Sequence, residues 1–168
     1  MRPIGYLYKR VHSPPESFGV PQVVDIYSLS PCLSEDFGDY VGYWQHNGFY
    51  LFDSAAAIRS LAARHSISLE GSKLFFYEAH ELQFEEGSGQ WVPFQPEASI
   101  ETHVQLPATS VLEGFDVCTF SSGTRPECSP LSCNGLAQVL ATNAHCLFPT
   151  FESAVHALED GELENSEP

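Results

Sequence analysis

Two stretches of this chain are near copies of one another, and a repeated unit restricts the fold more than any other feature of the sequence. Asn47 to Leu61 runs N-G-F-Y-L-F-D-S-A-A-A-I-R-S-L, and Asn143 to Leu158 runs N-A-H-C-L-F-P-T-F-E-S-A-V-H-A-L. Asn47, Leu51 and Phe52 match Asn143, Leu147 and Phe148 without a gap. Matching the apolar positions beyond that point takes one extra residue at the turn, which places Ala57, Ile58 and Leu61 over Ala154, Val155 and Leu158. Each copy predicts a strand, a capping residue and a helix. The helix after Thr150 carries Phe151, Ala154, Val155 and Leu158 at the i, i+3, i+4, i+7 spacing of a single buried stripe.

The match extends backward to Asp25-Ile26-Tyr27-Ser28 with Ser30-Pro31, set against Asp116-Val117-Cys118-Thr119 with Ser129-Pro130. The repeat units are then about 22–65 and 115–161. Duplication accounts for this pattern, and so does convergence, because every strand–turn–helix element selects apolar residues at similar places.

Around these units, Ile4–Lys9 and Val23–Leu29 predict strands, and Glu35–Trp44 a short helix. Lys73–Glu85 predicts a long strand, turned by Glu86-Gly87-Ser88-Gly89 into a return strand at Gln90–Phe94. Phe115–Phe120 and His145–Phe148 predict strands, and Leu136–Leu140 a helical turn. Residues 95–113 read as a connecting segment, and 162–168 as a disordered acidic tail. The expected fold is α+β: a mixed or antiparallel sheet with two to three helices packed on one face, in a single compact domain over 1–168.

The pattern of an aromatic strand, then Phe52-Asp53-Ser54 or Phe148-Pro149-Thr150, then a short amphipathic helix, in a small acidic chain, resembles that of bacterial toxin-immunity proteins. The resemblance implies a small non-catalytic binding protein and assigns no residue a role.

Charge is the second constraint. Residues 1–73 hold six basic and seven acidic side chains, whereas residues 74–168 hold one basic side chain, Arg125, and fifteen acidic ones. The net charge is −15. Such a field repels nucleic-acid phosphates and anionic membrane surfaces, and favours a basic protein partner or serves solubility alone. The opening ten residues lack the apolar core of a signal peptide, and five cysteines make an odd count, so a reducing cytoplasmic setting is expected.

The chemistry-bearing residues concentrate in the second copy. Cys128, Cys133, His145 and Cys146 form a C-x4-C-x11-H-C series, and three cysteines with a histidine are an accepted zinc set. Adjacent ligands on a strand point to opposite faces, which argues against a single ion. Cys128 or Cys133 with a histidine supplied from elsewhere in the chain is the candidate arrangement for thiol catalysis, although an acidic field disfavours a thiolate. The same cysteines also fit as small buried hydrophobes.

Glu78 and His80, two apart on one strand, form a candidate acid–base pair; on an exposed face they do nothing. Candidate partner contacts are Glu127, Ser129, Ser132 and Asn134 in the Cys-rich loop, with Tyr43 and Trp44 as aromatic anchors that serve equally as core. The functional expectation is a non-catalytic, immunity- or inhibitor-like binding module docking on a basic partner. The alternative is a small Cys/His enzyme or zinc protein built on 127–146. No cofactor is favoured, zinc being the one considered.

Overall fold

The computed structural model describes residues 1–28, 47, 49, 51–94, 103–118, 129–133 and 135–163. The predicted helix at 35–44 therefore lies outside the described residues, and so do Tyr43, Trp44, Glu127, Cys128, Asn134 and the tail from residue 164. The architecture is α+β, with antiparallel sheet and two helices. The strands are β1 (Arg2–His12), β2 (Ile26–Ser28), β3 (Ser72–Ala79), β4 (Leu82–Glu85) and β5 (Gln90–Pro93). The helices are α1 (Ala55–Arg64) and α2 (Phe151–Glu159), with a single helical turn at Pro130–Cys133 and 3-10 turns at Glu16–Phe18 and Leu136–Gln138. Among the described residues, no helix is long and apolar enough to cross a membrane.

The chain divides into two compact units. The first comprises Met1–Arg10, Leu29–Gln83 and Val92–Ser110; the second comprises Val11–Ser28, Phe84–Trp91 and Val111–Pro168.

In the first unit, β1 pairs antiparallel with β3, Tyr6 opposite Phe76 and Leu7 opposite Phe75, with a register shift between Pro3 and Gly5. Ser54 caps α1 by accepting a hydrogen bond from the Ala57 N–H at 3.2 Å. The helix then buries Ile58, Leu61 and Ala62. Ile58 and Leu61 join Ile4, Tyr6, Leu7, Phe49, Leu51 and Phe52 in one apolar cluster, against which Leu74, Phe76, Tyr77 and Ala79 of β3 also pack. Burying each large side chain of this cluster stabilises the unit by about 1.5–3 kcal/mol. The long strand expected over 73–85 is broken after Ala79, and its second part, β4, forms a hairpin with β5. Beside the break, Arg2 reaches across to Glu81 in a 2.7 Å ion pair.

In the second unit, Thr150 caps α2 in a reciprocal box with Ser153, and Ala154 and Ala157 are its buried positions. Phe148, Leu131, Cys146 and Ile26 are buried in the same unit. Gln138 anchors the 3-10 turn by donating from Nε2 to the Phe18 carbonyl at 3.1 Å.

The strand expected at His145–Phe148 is not formed, and of the one expected at Phe115–Phe120 the described residues 115–118 form none. Phe115 and Phe148 make a single antiparallel bridge, and His145 lies in a tight turn. The cause is Asn143, whose side chain satisfies N–H groups that a strand would offer to a neighbour.

Candidate functional site

Asn143 organises a five-residue turn. Its backbone N–H donates to the Leu147 carbonyl at 2.8 Å, and its Oδ1 accepts from the N–H groups of His145 and Leu147 at 2.9 and 3.2 Å. Its Nδ2 donates to the Glu113 carbonyl at 2.7 Å. Only a side-chain amide of this length both accepts from the turn and donates across it.

The first unit contains the same construction. The Asn47 N–H donates to Leu51 O at 2.8 Å, Asn47 Oδ1 accepts from Phe49 and Leu51 at 2.9 and 3.3 Å, and Nδ2 donates to the Ile4 carbonyl at 2.9 Å. Each turn faces a glycine: Gly5 at φ +140° in the first, Gly114 at φ +152° in the second. The residue after each glycine, Tyr6 or Phe115, bridges Phe52 or Phe148 through paired backbone hydrogen bonds of 2.7–3.0 Å.

The correspondence is gapless through the caps, because the same number of residues separates Asn47 from Ser54 as Asn143 from Thr150. Ile58 and Leu61 thus correspond to Ala154 and Ala157, not to Val155 and Leu158 as apolar matching suggests. The segment facing the Asn47 turn is Gly5–Tyr6, which precedes the 22–65 span.

Four polar side chains meet at the tip of the second turn. His145 Nδ1 lies 2.6 Å from Asp25 Oδ1 and 2.8 Å from the Tyr27 hydroxyl oxygen. The Tyr27 hydroxyl donates to Glu113 Oε2 at 3.1 Å, and His145 Nε2 is 3.5 Å from that same oxygen. The Tyr27 and His145 rings stack, with centroids 5.2 Å apart and planes 23° apart. Tyr27 lies on β2 and Asp25 immediately precedes that strand, and the Val24 and Asp25 N–H groups donate to the Ala144 carbonyl, fixing this edge to the turn. Glu113 is placed by Asn143 through its own carbonyl.

The proton assignments follow from the partners. Burial, then the charges of Glu113 and Asp25, then the hydrogen bond to Glu113 push the Tyr27 pKa well above its ordinary value. The hydroxyl therefore stays protonated and acts as a donor to Glu113. Asp25 Oδ1, 2.6 Å from Nδ1, is placed to accept from it, a contact that favours the tautomer of His145 with its hydrogen on Nδ1.

A stability consequence follows. The folded-state Tyr27 pKa lies above the unfolded value near 10, so its contribution is complete below pH 10 and is lost as the unfolded chain ionises above it. The urea midpoint is expected to fall as the pH rises above about 10, the ordinary phenol value, and less steeply in Tyr27→Phe. Identical slopes for the two proteins would rule this out.

The sequence candidates distribute differently. His145 belongs to the cluster. Cys146 is buried beside it, and that burial removes its thiol from the access that a nucleophile needs. Ser129 is buried and donates to Asp116 Oδ1 at 3.0 Å, and Ser132 donates to the Ser129 carbonyl, so both hydroxyls are used within the unit. Cys133 lies in the Pro130–Cys133 turn. Glu78 and His80 are both exposed, at the end of β3 and just beyond it. Among the described residues, no group of three or more His, Cys, Asp or Glu side chains is arranged to hold a metal ion.

Asp25, Tyr27 and Glu113 are the residues that sequence reasoning missed. The only local signal was the Asp25-x-Tyr27 alternation running into β2, and nothing in the sequence ties it to a turn some hundred residues away. No protein-family model, curated protein or solved structure matches the chain.

Proposed function

We propose that this chain is a non-catalytic, inhibitor-like binding module of the cytoplasm that docks on a cationic protein partner. The observation that carries the reading is how the charge divides between the two units. The segments of the first unit hold six Lys or Arg against nine Asp or Glu; those of the second hold Arg125 alone against thirteen. A self-contained unit with one basic side chain cannot neutralise its own carboxylates, and such a field steers a cationic surface toward it. The part-buried Asp25, Glu113 and Tyr27 around His145 support recognition over mere solubility, because solubility needs only exposed charge.

Steering of this kind is screened by salt. A hexa-arginine peptide is expected to bind measurably by calorimetry at low ionic strength, and to weaken by about tenfold or more between 20 and 200 mM salt. Hexa-glutamate is expected not to bind. Absence of hexa-arginine binding at 20 mM salt, or affinity indifferent to salt, would sink the reading.

A further inference from the structure

Residues 103–106 form a strap on the first unit, and its hydrogen bonds among the described residues both run through the main chain of Gln105. The Gln105 N–H donates to the Asp53 carbonyl at 2.8 Å, and the Gln105 carbonyl accepts from the Tyr6 hydroxyl. One residue giving both main-chain groups to the surface beneath it is how an added strand binds an edge. The side chains of His103, Gln105 and Leu106 are exposed, Leu106 at 70%, whereas Val104 packs on the apolar cluster that contains Tyr6. The first unit thus holds this segment by an aliphatic side chain and the main chain beside it, with no use of the Gln105 side chain.

The second unit shows that the Asn-centred frame does not require a strap of this kind. Tyr6 corresponds there to Phe115, and Ala55, the first residue of α1, to Phe151, the first residue of α2. The Phe115 and Phe151 rings meet with centroids 6.1 Å apart, so the helix's own first residue covers the aromatic ring. In the first unit that helical residue is reduced to a methyl, and the aromatic ring gains a hydroxyl. Phe76 of β3 packs against the Tyr6 ring, with centroids 5.1 Å apart, and the strap takes the hydroxyl end. Burial raises the Tyr6 pKa above its ordinary value, which keeps the hydroxyl a donor. The first frame therefore differs from the second by a smaller side chain and an added donor, and the strap meets both changes.

We propose that Tyr6, Ala55 and the Asp53 carbonyl form a docking site for a peptide segment of a partner protein, filled here by the chain's own Val104 and Gln105. The partner segment has the same pattern, an aliphatic residue followed by one held through its main chain, and it binds by displacing the strap. A segment with both hydrogen bonds at one residue and three exposed side chains opens without unfolding the sheet beneath it. The site lies in the first unit and uses no charged group, so it is separate from the acidic-module reading and does not fall with it.

The first test needs the wild-type chain alone. In native-state hydrogen exchange, the Gln105 N–H is expected to exchange at least about tenfold faster than those of Tyr6 and Phe52, which bond each other's carbonyls in the frame below. Exchange of all three together, on global unfolding, would make the strap a fixed part of the unit and overturn the proposal. The second test uses the peptide acetyl-His-Val-Gln-Leu-Pro-amide, a copy of residues 103–107, with the full chain carrying Val104→Asp to unseat the strap. The peptide is expected to bind this variant, to shift the Tyr6 ring resonance in tyrosine-labelled protein, and to be indifferent to salt. The wild-type chain is expected to bind it at least about tenfold more weakly, because its own strap is tethered beside the site. Changing the peptide's glutamine to alanine should alter affinity by less than about twofold, whereas proline, which has no N–H for the Asp53 carbonyl, should weaken it by about tenfold. Adding Tyr6→Phe to Val104→Asp should cost a similar factor. If Val104→Asp gives no cooperative urea transition, Val104→Ala replaces it with the same outcomes expected. No binding to the released chain, or equal binding of the glutamine and proline peptides, would overturn the site.

Discussion

Replacing Gly114 by alanine is expected to lower the unfolding free energy by about 4 kcal/mol, adding the strain of a disfavoured backbone angle to overpacking of about 1–3 kcal/mol each. At φ +152° an L-residue is strained whatever the space around it, and here there is none. A Cβ at Gly114 would lie 2.7 Å from Leu147 Cβ, 2.8 Å from Asn143 Nδ2 and 3.0 Å from the Phe148 carbonyl oxygen. Gly5→Ala is expected to do comparable damage, its Cβ meeting Leu51 Cβ at 2.6 Å and the Phe52 carbonyl oxygen at 2.8 Å. Small domains are stable by only about 5–15 kcal/mol, so either variant should show a large drop in its denaturant midpoint. Gly87→Ala, where an added Cβ meets nothing within 4 Å, is the control and should change little. A loss under about 1 kcal/mol in Gly114→Ala would mean that the strand and turn do not press together as described.

The second large effect concerns the asparagines. Asn143→Ala is expected to destabilise by about 2–4 kcal/mol, because it strands the N–H groups of His145 and Leu147 and the carbonyl of Glu113 in a part-buried site. Asn143→Asp keeps the two acceptor contacts and loses the donor to Glu113, so it should fall between wild type and alanine. Asn47→Ala removes the equivalent set and also the 2.9 Å hydrogen bond to Asp53 Oδ1. The two turns should differ in one respect. Loss of Asn143 should also alter the His145 resonance, whereas loss of Asn47 should leave it in place. An unmoved His145 resonance in Asn143→Ala would contradict the placing of His145 by this turn.

The part of this arrangement visible in the sequence was the part that is local. α1 and α2 announce themselves by a capping hydroxyl and an apolar stripe, and the β4–β5 hairpin by its glycine-rich turn. The shared asparagine was visible as well, but its task was not. A strand expected at 145–148 turns out to be a loop closed by one side chain, and nothing in the apolar pattern distinguishes the two.

Register was misjudged for a related reason. Val155 and Leu158 match Ile58 and Leu61 better in size than Ala154 and Ala157 do, so hydrophobic matching inserts a residue. The Ser54 and Thr150 caps settle the alignment without one. The glycines opposite the turns were invisible because their partners lie about forty and thirty positions away, beyond the reach of periodicity reasoning. The Cys-rich loop drew attention as a dense local signal, whereas Asp25, Glu113 and His145 are a sparse one assembled by folding.

The Asn143 turn is held entirely through main-chain groups and one amide, and the side chain at its tip takes no part in closing it. The tip side chain is thus not one of the groups whose hydrogen bonds close the loop. Phe49 and His145 hold the same place in this frame, one set into an apolar core and the other into a polar cluster, so closing the turn does not dictate the chemistry at its tip.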